Sequence, residues 1–151
     1  MRAALQFKDY HVLETIYKFN PFFSGEDKLE EPKLLFKLDV KPDSLDEAVI
    51  VLGIELGDDK LESTPFYIKA RIAGVFEIES EGLSEKQIIS FYKVNGVTIL
   101  FPYLRSLVSD LSSKGSESPI IIPTVNVAAL IKEMDEGESL NSSRKDLESA
   151  E

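Results

Sequence analysis

Cysteine is absent from the 151 residues, which excludes disulfides, thiolate metal sites and a cysteine nucleophile and fits a reducing compartment. Histidine is nearly absent too. His11 stands alone, with no second imidazole to share a metal and no nucleophile elbow to complete a hydrolase triad, so it reads as a structural or surface residue. No apolar run approaches the roughly 18 residues of a membrane span, and the opening Met1–Asp9 meets charge before any run reaches signal-peptide length. The expectation is a cytoplasmic chain that does not enter a membrane. The glycines are scattered, leaving no phosphate-cradling loop for a nucleotide. No twelve-residue acidic loop with a central glycine offers calcium ligands. Basic residues are in deficit, 17 against 27 acidic for a net charge of −10, so a nucleic-acid backbone is repelled. The acidic pairs Asp58-Asp59, Asp43 with Asp46 and Glu30-Glu31 fall in charge-rich turns that solvation explains. Nothing assembles into a catalytic site, a metal centre or a cofactor pocket. The acidity reads first as solubility, and secondly as attraction for basic unfolded polypeptide or a basic docking module.

What is present is enough apolar residue, 43% of the chain, to bury one core. Leu34, Phe36, Leu38 and Val40 alternate with charge, the period of a half-buried strand closed by Pro42. Ala48, Ile50, Leu52, Ile54 and Leu56 repeat the pattern, and Gly57-Asp58-Asp59-Lys60 reads as a turn. The longest alternation runs from Phe66 to Ile78, with Gly74 marking a bulge or a close backbone approach. A further strand over Leu5–Tyr17 shows apolar residues that change face near His11 and Val12. Ser84-Glu85-Lys86-Gln87 matches a capping box opening a short helix to about Val94.

Leu100, Tyr103, Leu104, Leu107, Val108 and Leu111 recur at helical spacing over Val97–Lys114. Gly115 then supplies the stop, and Pro102 is expected in the first turn, where a missing amide costs little. Ile120–Ile122 reads as an extended segment, and Thr124 or Asn126 can cap a last helix carrying Val127, Leu130, Ile131 and Met134. The fold class is therefore α+β, a meander-like four-stranded antiparallel sheet with two main helices on one face. One domain is expected over residues 1–136, with a polar tail over residues 137–151 that cannot order itself alone.

Three segments resemble one known family. Ile99-Leu100-Phe101-Pro102-Tyr103-Leu104-Arg105 is similar to the I-L-F-P-Y-x-R run that opens the long helix of the SecB family. Pro123-Thr124-Val125-Asn126-Val127-Ala128-Ala129-Leu130 resembles its P-V-N-F-x-A-L entry to the second helix, and Ala73–Ile78 resembles its G-G-I-F-x-I strand end. The resemblance covers roughly residues 66–134.

It implies an ATP-independent chaperone, a holdase for unfolded or precursor polypeptides in protein export, with no enzymatic step and no cofactor. It also implies a homotetramer, a dimer of dimers joined through the long helices, for which Leu104, Val108 and Leu111 are the contact candidates here. The stripe on that helix is too wide for one sheet face alone. The implied client groove runs beside the first strand, its following loop and the second helix. In this chain those are Phe19, Phe22 and Phe23 with Val127, Leu130, Ile131 and Met134. The three phenylalanines either pack under their loop or meet clients. An alternative within the family is a chaperone dedicated to the antitoxin of a toxin–antitoxin system.

The family also implies docking on the translocation motor ATPase SecA through acidic residues of the sheet surface. Here the chain departs from the pattern. Asn20 and Ser24 stand where the D-x-S-F-E stretch has acids, and Lys69 falls on a further acidic position. The tail offers only Arg144 and Lys145 amid acids. Weak or absent docking is expected.

Overall fold

The computed structural model describes residues 5–26, 28, 31–41 and 44–114. Alternation becomes four strands: β1 Leu5–Phe19, β2 Lys33–Val40, β3 Glu47–Gly57 and β4 Phe66–Ile78. All neighbouring pairs are antiparallel, in the order β1-β4-β3-β2. The meander expectation holds for β2, β3 and β4 alone. β1 instead pairs with β4 on the side away from β3, so that β1 and β2 are the two edge strands. The change of face read near His11 and Val12 is real, with register shifts between Phe7 and Asp9 and between Val12 and Glu14. Each extra residue turns the following side chains over without breaking the pairing.

One face of the sheet forms the core. Ile50, Leu52, Ile54, Ile68, Ala70, Ile72 and Phe76 are all buried, with Leu34, Phe36 and Leu38 of β2 packed at its margin. Over this face lie α1 Glu85–Phe91 and α2 Val97–Ser112. Ser84 caps α1 as its sequence requires, accepting from the Gln87 amide at 3.2 Å while its own amide donates to Oε1 of Gln87 at 2.9 Å. The two helices are not separate. Tyr92–Gly96 joins them as a π-helical turn with right-handed helical backbone on both sides. Tyr92 is fully buried and donates its hydroxyl to the Leu45 carbonyl at 2.7 Å. Burial pushes that hydroxyl up to about 12, and Asp46, Glu47 and Glu77 add to the shift.

The continuous helical run corrects the placement of Pro102, which lies inside α2 rather than in its first turn. Its missing amide leaves the Thr98 carbonyl without its ordinary partner. Both residues sit on the exposed side, where water can satisfy that oxygen. The second main helix expected from Thr124 or Asn126, the stop at Gly115, the strand end at Pro42 and the tail lie outside the described residues.

Gly74 marks a close approach. A Cβ built there would stand 2.7 Å from Cε2 of Phe76 and 2.8 Å from Cδ2 of Leu100, so the glycine is what lets α2 settle on β4. Gly74→Ala is expected to cost about 1–3 kcal/mol through overpacking, read as a lowered midpoint in denaturant unfolding with an unchanged slope.

Candidate functional site

The β3–β4 connection is built around one carboxylate. Gly57 turns the chain at φ +83°, and Asp58 then accepts from the backbone amides of Lys60, Glu62 and Ser63 at 3.1, 2.9 and 3.0 Å. The Ser63 hydroxyl also donates to it, at 3.2 Å. The Ser63 amide, then those of Glu62 and Lys60, hold the Asp58 carboxyl down at about 2. Buried Thr64 closes the ring, accepting from the Asp58 amide at 2.8 Å and donating to the Phe66 carbonyl at 2.6 Å.

Against this turn rests the loop after β1. The Asn20 amide donates to the Pro65 carbonyl at 2.7 Å, and its side-chain oxygen accepts from the Phe22 amide at 2.9 Å. The Phe23 amide donates back to the Asn20 carbonyl at 3.3 Å. The chain is thus reversed by local hydrogen bonds. Phe22, at the tip, is 89% exposed. Phe23 is half-buried, and Phe19 at the end of β1 is 41% exposed. For Phe22 the alternative of packing under the loop is thereby removed.

β1, an edge strand, exposes further apolar side chains. Val12, paired with Ile72 on the core side of the sheet, is 48% exposed, and Leu13, the extra residue of the second bulge, is 47% exposed. Neither was singled out from sequence. The face change beside His11 was the available signal, since a bulged residue on an edge loses the neighbour that would cover it. Val127, Leu130, Ile131 and Met134 lie outside the described residues.

The expected oligomer contacts divide. Leu104 and Val108 are fully buried within this chain against its own sheet, so they have no surface left for a partner, whereas Leu111 is only partly buried. A helix stripe shows which residues are apolar but not which element covers them. The apolar residues of α2 that keep exposed surface are Ile99, Pro102, Tyr103, Leu107 and Leu111. Tyr103 also leans on Phe7 and Tyr10, with ring centroids 5.8 and 5.0 Å away.

On the opposite face of the sheet, Lys69 stands between two carboxylates from neighbouring strands, 3.3 Å from Glu14 and 3.7 Å from Glu55. Arg71 approaches the same Glu14 oxygen at 3.8 Å. Asn20 is committed to the loop contacts above, and Ser24 is exposed. His11 is exposed beside Asp9, 3.2 Å away. Among the described residues no cluster of His, Asp or Glu has a metal-holding arrangement, and no helix is long and apolar enough to cross a membrane.

The family model described as preprotein translocase subunit SecB matches residues 19–137. An uncharacterized protein of Methanocaldococcus jannaschii is 25% identical over 99% of this chain and 97% of its own length. The protein-export protein SecB of Burkholderia lata is 32% identical over 68% of this chain and 64% of its own. Among solved structures, a SecB-like chaperone of Mycobacterium tuberculosis in complex with a peptide from an antitoxin superposes with a TM-score of 0.66. It is 17% identical, covering 82% of this chain and 91% of that one. That likeness speaks for the fold, and it agrees with the four-stranded sheet and its helical layer.

Because Phe22 contributes almost nothing to the core, Phe22→Ser is expected to move unfolding free energy by no more than about 0.5 kcal/mol. A buried phenylalanine such as Phe76 cut back to alanine costs about 3–5 kcal/mol. Thermal unfolding of the two variants separates surface from core.

Proposed function

The chain belongs to the SecB family, and on that premise we propose that it is an ATP-independent holdase that binds unfolded or precursor polypeptides in the cytoplasm. The observation that carries the reading is Phe22, a large aromatic side chain displayed to solvent by an ordered loop. Phe19, Leu13 and Val12 extend the apolar surface along the neighbouring edge strand. Extended apolar segments of a client suit such a track, since each side chain buried gains roughly 1.5–3 kcal/mol irrespective of sequence.

Association costs about 4–15 kcal/mol in lost freedom and ordering, so one or two contacts do not hold a client. Several tracks in one homotetramer raise the effective concentration of each successive contact. We assign the subunit contact to the outward side of α2, through Tyr103, Leu107 and Leu111, because Leu104 and Val108 are occupied within the chain. The antitoxin-dedicated alternative has a specific observation in its favour, the antitoxin peptide held by the fold relative. It predicts one dominant client after rapid lysis and capture, where the general holdase predicts many.

Docking on SecA is proposed to be weak. Lys69 pairs with Glu14 and Glu55, and Arg71 approaches Glu14, so the patch offers a balanced set of charges rather than an acidic one. Partners steered by charge respond to that net field. Titration calorimetry with SecA is expected to give no tight docking. A clear saturating isotherm with the unmodified protein overturns this part of the reading.

The holding activity itself is tested by suppression of aggregation of a chemically unfolded protein. The parent chain is expected to suppress it without nucleotide, and Phe19→Ser with Phe22→Ser to weaken suppression several-fold at unchanged secondary structure. Full suppression by the double variant removes β1 and its loop from the site.

A further inference from the structure

Antiparallel strands can be joined by two residues, yet residues 58–65 intervene between β3 and β4. The surplus is spent on contacts to another loop. Leu61, at φ +58°, is a non-glycine residue in the left-handed region, which is uncommon and needs support from its surroundings. Its carbonyl accepts from Nδ2 of Asn20 at 3.5 Å. The Ser63 carbonyl accepts from the Lys28 amide at 3.0 Å and the Pro65 carbonyl from the Asn20 amide at 2.7 Å. Asp59 completes the set with an ion pair to Lys18 at 2.5 Å. Four links from residues 59–65 thus reach residues 18–28, and the backbone that offers them is shaped by the amides gathered on Asp58.

We propose that Asp58 and Asn20 are positioning residues for the exposed aromatic loop, Asp58 shaping the turn on which the loop rests and Asn20 transmitting that shape to Phe22. The proposal rests on the reading of Phe22 as a client contact and adds what fixes that contact in place. The sequence of bonds is continuous. Glu62 and Ser63 amides converge on the Asp58 carboxylate, the carbonyls of Leu61 and Pro65 are thereby set, Asn20 binds both, and Oδ1 of Asn20 takes the Phe22 amide. A side chain held in its binding position before the client arrives loses less freedom on association than one on a loose loop. A neutral amide at position 58 keeps the shape of the side chain but replaces one acceptor oxygen by a donor and removes the charge that strengthens the remaining bonds.

The test uses the full chain with Asp58→Asn, Asn20→Ala and Asn20→Asp, each alone and with Phe22→Ser. Affinity for a fluorescent, carboxymethylated unfolded protein is measured beside amide hydrogen exchange at Phe22 and Phe23. Asp58→Asn and Asn20→Ala are expected to weaken affinity about fivefold, near 1 kcal/mol by the affinity relation, and to speed exchange at both amides. The oligomer and the far-ultraviolet spectrum stay as they were. Asn20→Asp keeps the oxygen that accepts from Phe22 and is expected to restore most of the affinity. In the Phe22→Ser background none of the three changes affinity further. An undiminished loss in that background overturns positioning, as does unaltered exchange in Asp58→Asn. Should Phe22→Ser alone leave affinity intact, the client-surface reading falls, and exchange at Phe22 and Phe23 then decides the positioning by itself.

Discussion

The seating of α2 on the middle of the sheet governs where everything else can be. Leu100 rests over the glycine at position 74, and Val97, Leu104 and Val108 follow it into the same face at zero exposure. Each of these side chains gains roughly 1.5–3 kcal/mol by leaving water, so the helix has one strongly preferred position. That position covers β4 and β3 and reaches the start of β1 through Tyr103. Farther along β1, Tyr17 still packs against the core, while Val12, Leu13 and Phe19 stay exposed.

The strands were legible because a sheet with one buried face writes a period of two into its sequence. β4 occupies the predicted Phe66–Ile78, and β2 and β3 extend their predicted runs only by a flanking residue. The capping box was legible because both its hydrogen bonds are local. Strand order was not, because the neighbour of β1 is chosen by contacts far along the chain. The π-turn was equally hidden. Its last residue, Gly96, lies against Ile50, where a Cβ would stand 2.2 Å from Cδ1, a tertiary contact that no local pattern records. Once α1 runs through it into α2, Pro102 is carried into the helix interior, and the first-turn rule has no first turn to act on.

The candidate site was half legible for a related reason. Three phenylalanines in five residues announce themselves in sequence, but composition does not separate display from packing. The separation comes from Asn20, whose polar groups reverse the chain and leave Phe22 outside. Leu104 and Val108 show the opposite failure. Their periodicity gives them an apolar side, and only the sheet beneath shows that this chain uses that side itself.

An aromatic tip on an ordered loop invites self-association unless something opposes it. The chain carries a formal net charge of −10, so two copies meeting tip to tip bring like fields together. On the proposed holdase reading, an unfolded client differs in both respects. It offers apolar side chains along a flexible backbone, and its own charge is dispersed and often basic, so attraction at long range and burial at short range act in the same direction. On the proposed holdase reading, the acidity would serve both expectations drawn from the sequence, solubility and attraction for basic unfolded polypeptide, while disfavouring contact between the exposed apolar residues of two copies.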